Sequence, residues 1–241
     1  MADGFGAYTD HFGILAIASG GGTLADVLEI TGSSKTPDPM SRAEATDANG
    51  DPAAATWYGN TAGTLYDASS TFVCKSGTFD LSVLQGGEIT AGSVITNIEL
   101  STSNDGWPTL TVTGKIGAQT IVSPSGYENT WTMPSITITG AKRAQLLDFT
   151  VGATCALTAS SITGTLEIAQ QEDGEGEPVA HGISGGLLTQ SADLVYVTAA
   201  PSWTKGTNFT ETQAPGDDQT QAAYMTTSVA AEQIWARDAT E

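Results

Sequence analysis

Ser93-Val94-Ile95-Thr96-Asn97-Ile98-Glu99-Leu100-Ser101, a break, and then Thr109-Leu110-Thr111-Val112-Thr113-Gly114-Lys115-Ile116 form the stretch whose reading decides the fold. Apolar and polar residues alternate with period two, the pattern of a strand with one face in a core and the other toward water. In the first run Val94, Thr96, Ile98 and Leu100 fall on one side, and Ile95, Asn97, Glu99 and Ser101 on the other. In the second run Leu110, Val112 and, past Gly114, Ile116 share a side. Thr is the favoured polar partner, and its β-branched side chain suits a pleated, half-buried surface. The break, Thr102-Ser103-Asn104-Asp105-Gly106-Trp107-Pro108, carries Asp-Gly and Pro and predicts a hairpin loop.

The same rhythm extends outward. Residues 24–31, 71–75, 78–84, 135–139, 147–151, 154–160, 163–169 and 193–198 read as further strands, separated at short intervals by Gly, Asn, Asp, Ser or Pro. This predicts an all-β chain, an antiparallel β-sandwich or barrel with long hairpin loops and at most one or two short helices. Two segments have a helical look. Residues 141–147 carry the basic pair Lys142-Arg143, and residues 219–237 place Ala222, Met225, Val229 and Gln233 at helix-like spacings. In the second segment Thr226, Thr227 and Val229 suit a strand equally well. The expected organisation is an N-terminal arm over 1–22, a core over 23–199, and a C-terminal segment over 200–241 that packs on or extends that core.

Acidic side chains number 27 against 8 basic ones, a formal charge of −19 and a pI near 4.1. Only 15% of residues are charged while 39% are hydrophobic, so the chain is a folding one and not a disordered acidic tail. The sign of the charge argues against gripping nucleic-acid phosphates or anionic lipid head groups, which need a basic surface. Met1-Ala2-Asp3-Gly4 lacks the positive start of a secretory signal, and no apolar run approaches the roughly 20 residues that cross a bilayer. Much of the acid lies in loops. Residues 45–52 look like the tip of an extended hairpin, residues 170–178 hold Glu172, Asp173, Glu175 and Glu177, and residues 212–221 hold Asp217 and Asp218. Such loops either carry partner contacts or are simply solvated.

Several short motifs suggest chemistry, and each has a plainer reading. Gly182-Ile183-Ser184-Gly185-Gly186, preceded by His181, matches a nucleophile elbow, but that turn needs a strand leading into a helix, and the chain shows no strand–helix alternation. A Gly-rich connection between strands accounts for it. Asp47-Ala48-Asn49-Gly50-Asp51 has the alternating oxygen donors of a calcium loop, yet it lacks a closing bidentate Glu and runs into Pro52, so an Asn-Gly hairpin turn explains it better. Ser19-Gly20-Gly21-Gly22-Thr23 lacks the lysine of a phosphate loop and reads as a flexible joint. Asn208-Phe209-Thr210 matches a glycosylation sequon, without consequence where no signal peptide is present. Cys74 and Cys155 read as buried free thiols, and with the distant His11 and His181 they make no zinc site. Trp57, Trp107, Trp131, Trp203 and Trp235 sit near expected strand ends, suited to rim packing, carbohydrate stacking or an oligomer interface. No catalytic, cofactor-binding or metal-ligating residue is assigned, and the chain is not expected to be an enzyme.

Arg42-Ala43-Glu44-Ala45-Thr46-Asp47-Ala48-Asn49-Gly50-Asp51, followed by Thr56-Trp57-Tyr58-Gly59, resembles the N-terminal hairpin of tailed-bacteriophage virion proteins. The Thr, Ser, Ala and Gly richness, the few His and Cys, and the many short strands make the whole chain similar to tail tube proteins. The resemblance implies a structural virion protein made in the host cytoplasm, whose subunits close into a ring, commonly of six. Rings then stack through loops and arms into a DNA-conducting tube. Partners would be copies of itself and other virion proteins, with no cofactor, no membrane and no tight nucleic-acid binding. The arm before Gly20 and the loop around Asn49 would make ring-to-ring contacts. The alternative is a virion decoration or receptor-binding module that docks carbohydrate through Trp-bearing loops.

Overall fold

A computed structural model describes residues 8–19, 22–60, 63–75, 77–80, 84, 87–90, 92–103, 106–117, 121–122, 135–138, 144–146, 150–151, 155–174, 178–197, 203–205, 209–216, 218–221 and 224–235. Eight strands carry the architecture: β1 (Leu28–Pro37), β2 (Tyr66–Cys74), β3 (Ser93–Ser103), β4 (Thr109–Ile116), β5 (Cys155–Glu172), β6 (Pro178–Tyr196), β7 (Thr210–Gln213) and β8 (Tyr224–Trp235). They lie in the order 1-2-4-3-5-6-8-7, and every neighbouring pair is antiparallel. The path has two ends, so the sheet is open rather than a closed barrel. Shorter strands complete the chain, among them a separate three-stranded sheet of Gly77–Asp80, Ser135–Ile138 and Ala144–Leu146.

The alternation of the sequence becomes rows of side chains across the sheet. On the covered face one row runs Ile30, Phe72, Leu110, Leu100, Ile162, Gln190, Ala231 through seven consecutive strands. Phe72, Leu110, Leu100, Ile162 and Ala231 belong to one buried cluster, joined by Val112, Ile98 and Leu188 from the next row. Each large side chain taken from water in this way contributes roughly 1.5–3 kcal/mol. Phe12 and Ile14 enter the same cluster at 1% and 0% exposure. This part of the expected N-terminal arm is therefore anchored in the core and does not stand free.

A bulge interrupts the alternation where β3 meets β4. Thr113 opposes Asn97 and Gly114 opposes Ile95, which leaves Thr96 as the extra residue. Beyond it Ile95, not Thr96, shares the core with Ile98 and Leu100, correcting the simple period-two assignment. Gly114 is required there, since a Cβ would lie 1.9 Å from the Val94 carbonyl oxygen.

Other expectations also shift. The strands expected at 154–160 and 163–169 are one strand, β5, because Ser160, Ile162, Gly164 and Leu166 continue a single buried face through residues that look like breakers. Residues 24–26 form a single 3-10 turn before β1. Of the ambiguous 219–237 segment, residues 224–235 are strand, β8, hydrogen-bonded along β6 from Gly186↔Trp235 to Tyr196↔Met225, and residues 219–221 belong to a further short strand. Of the helix expected at 141–147, the described residues Ala144–Leu146 are also strand.

Two buried groups expose the energetics of this core. Gln190 is 0% exposed, and neither its Nε2 nor its Oε1 meets a hydrogen-bond partner among the described residues. An unsatisfied buried polar group costs about 1–3 kcal/mol. Gln190→Met, of similar length, is therefore expected to raise the free energy of unfolding by about 1–3 kcal/mol in urea titration, whereas Gln190→Ala lowers it. Cys74 is a free buried thiol, and desolvation pushes its pKa up to about 12. A group whose folded pKa lies above its unfolded value of about 8.5–9 stabilises fully below that value and loses the contribution as pH rises. The stability advantage of wild type over Cys74→Ala is expected to shrink between pH 9 and 12, as read from urea midpoints.

Candidate functional site

Between β1 and β2 the chain leaves the sheet at Asp38 and returns at Asn60. The intervening strands Met40–Thr46 and Pro52–Gly59 pair with each other, from Met40↔Gly59 to Thr46↔Pro52, and with no other strand among the described residues. At about 3.4 Å per residue they form an arm of roughly 25 Å. Its described side chains face solvent: Met40 is 50% exposed, and the ion-paired Arg42 and Glu44 are 49% and 47% exposed. A lone two-stranded hairpin buries too little apolar surface to be stable by itself. Its order is imposed at its two ends.

At the tip, Asp47 organises the turn. Its Oδ1 accepts from the Asn49 and Asp51 amides at 2.8 and 3.0 Å, while the Gly50 amide donates to the Asp47 carbonyl at 3.0 Å. Gly50 has φ +87°, the left-handed conformation that favours glycine. The Asp47–Asp51 segment is thus the hairpin turn expected from Asn-Gly, with its first carboxylate engaged by the backbone.

At the root, Asn60 is 7% exposed and fastens the two ends of the arm together. Its Nδ2 donates to the carbonyls of Asp38 at 3.1 Å and Leu65 at 2.8 Å, and its Oδ1 accepts from the Leu65 amide at 2.9 Å. The Asp38 amide in turn donates to the Leu65 carbonyl at 2.9 Å. Lys115 on β4 places Nζ 3.0 and 2.8 Å from the two Asp38 carboxylate oxygens and 3.1 Å from Asp67 Oδ1 on β2. Burial alone would lower the Lys115 pKa, but hydrogen bonds and charge attraction from Asp38 and Asp67 outweigh it and hold the ammonium above its ordinary value.

The uncovered face of the sheet is lined by hydroxyls and carboxylates. One row runs Thr71, Thr111, Glu99, Thr163, Thr189, Glu232. Hydroxyls link adjacent strands, Ser101 with Thr109 at 3.0 Å and Ser161 with Ser191 at 2.7 Å. Glu99, Glu167 and Asp193 on this face are exposed. Each edge is managed differently. The β1 edge has a bulge between Ile30 and Gly32, and carries Lys35 and Pro37, devices that resist indiscriminate pairing. The opposite edge is split between β7, four residues long and wholly exposed, and Asp218–Gln221, both paired with β8.

Gly182-Ile183-Ser184-Gly185-Gly186 lies inside β6 and not in a connection. Gly185 opposes Glu167 while Ile183 opposes Ile168, so Ser184 is the extra residue of a bulge on a strand, in no strand-to-helix turn. The acidic segment is shorter than expected as a loop, since residues 170–172 continue β5 and Pro178 begins β6. Ser19 and Gly22 pair across the glycine joint, and Phe209 of the sequon is 3% exposed. Trp107 is 47% exposed and Trp203 packs against the core. Trp131, Glu175, Glu177 and Asp217, and the side chains of Trp57, Trp235, Cys155, His181 and Ser184, lie outside the described residues. Asn60 and Lys115, the most connected polar residues at the root of the arm, carry no motif. Only Asn60, at the end of the hairpin, could have been singled out by its place in the chain; Lys115, 55 residues further on, leaves no local signal.

No protein-family model matches the chain, and no curated protein matches it significantly in sequence. Replacing Asp47 with Ala removes the oxygen that accepts two amide hydrogen bonds at the tip while leaving the core untouched. Exchange of the Asn49 and Asp51 amides, followed by NMR, is expected to accelerate about tenfold, the size of one lost hydrogen bond, with the melting temperature unchanged.

Proposed function

We propose that the chain is a structural virion protein that self-assembles into stacked rings forming the wall of a DNA-conducting tail tube. The observation that carries this reading is the arm over 38–60. It is ordered at its tip and root, yet its two strands pair with no other strand among the described residues. Such an element finds its missing buried surface in another molecule. The resemblance of its sequence to the N-terminal hairpin of virion proteins supplies the partner, a second copy of this chain.

Two further features support the reading. An open sheet with edges at β1 and β7 offers complementary ends to neighbours in a ring, which would remove both edges from solvent. The charge of −19, displayed in part on a hydroxyl-lined sheet face, repels phosphates and suits a wall past which DNA slides without sticking. The second reading, a decoration or receptor-binding module that takes carbohydrate, rests on the exposed Trp107 beside the β3–β4 turn.

Purified protein is expected to form rings or tubes in negative-stain electron microscopy, and deletion of residues 41–58 is expected to stop rings from stacking. A monomer that persists at high concentration across salt conditions would sink the assembly reading. Glycan-array binding lost in Trp107→Ala would put the second reading in its place.

A further inference from the structure

We propose that Lys115, through Asp38 and Asp67, with Asn60 beside it, is the positioning lock that fixes the direction in which the arm leaves the sheet. The proposal deepens the assembly reading and rests on it only for the arm's purpose, since the lock itself belongs to the isolated subunit.

The neck of the arm is narrow. A single strand leaves at Asp38, a single strand returns at Asn60, and the arm's own ladder begins only at Met40↔Gly59. Without cross-ties such a neck would swivel. The ties converge from three elements. Asn60 joins the outgoing Asp38 carbonyl to the Leu65 carbonyl before β2. Lys115 reaches from β4 across its register partner Asp67 on β2 to both oxygens of Asp38. The Asp38 and Lys115 side chains are 15% and 26% exposed, so their pairing is less screened than a surface ion pair, while Asp67 at 59% is the solvated end of the chain of contacts.

Charge strengthens the argument. Asp38 and Asp67 approach one ammonium from two sides, so removing that ammonium leaves two carboxylates facing each other at the point where the arm is hinged. The neck would then be both untied and repelled. In a chain with only 8 basic residues, spending one here serves no core-packing purpose, because Lys115 lies on the sheet face away from the buried cluster.

The test measures the arm's direction in unassembled subunits at low concentration. Spin labels go on Asn49→Cys at the tip and Glu99→Cys on the sheet, in a Cys155→Ser background; Cys74 stays, being buried. Pulsed electron–electron resonance should give one narrow distance distribution for the parent and for Lys115→Arg. Lys115→Met should widen it at least twofold with the circular dichroism spectrum unchanged. Asp67→Asn, which keeps the Asp38 pair, should widen it less. An equally narrow distribution in Lys115→Met overturns the lock. If Lys115→Met fails to fold, Asn60→Ala takes its place with the same expected widening, and a narrow distribution there overturns the lock as well. Electron microscopy separates the two readings. A widened distribution with tubes intact keeps the lock and refutes the arm's role in stacking; tubes lost with the distribution still narrow refutes the lock alone.

Discussion

Everything in this molecule depends on keeping one face of a broad antiparallel sheet dry. The row from Ile30 to Ala231 crosses seven strands, and each strand contributes a residue whose position is fixed by the two on either side. Slipping any strand by one residue would turn its apolar set toward water and its threonines into the core. The Gly114 bulge secures this further, because the register on either side of it differs by one residue and can be satisfied in only one way. The N-terminal segment contributes Phe12 and Ile14 to the same cluster, so the first described residues and the last strand are held by one body of contacts.

The dry face explains the character of the other one. A sheet with one side buried can vary its remaining side freely, and here that side carries Thr, Ser, Glu and Asp with little basic charge. Neighbouring hydroxyls satisfy one another, as in Ser161 and Ser191, and the Lys115 ammonium on this face is held by Asp38 and Asp67. The acidic balance of the chain is thus not confined to loops. Glu99, Glu167, Asp193 and Glu232 place part of it on the face of the sheet itself.

The fold class was legible in the sequence because alternation is a local property, and residues 93–116 display it over two full strands. Glycine and serine misled where context overrides them. Gly164 and Ser160–Ser161 sit within β5, and Gly182–Gly186 within β6, because a long partner strand satisfies their backbone groups whatever their side chains prefer. The arm was legible from Asn-Gly between two polar-alanine runs. Its root was not, since Lys115, Asp67 and Asp38 come together only when β4 pairs with β2, and contacts of sequence separation 48 and 77 leave no local trace. The same holds for Gln190, whose place in an apolar row is visible only once the register is known.

The unequal edges have a consequence for how copies could join. Ten residues of β1 are available at one end of the sheet, but the other end is divided between two four-residue strands, β7 and Asp218–Gln221. A contact between these ends is limited by the shorter, so it can supply only a few main-chain hydrogen bonds, each worth about 1 kcal/mol net. Such a seam is weak enough to open and reclose. Subunits joined through it would sample and discard misaligned neighbours, and permanence would come only when many seams and arms engage at once, giving an assembly that proofreads itself while small and becomes irreversible when large.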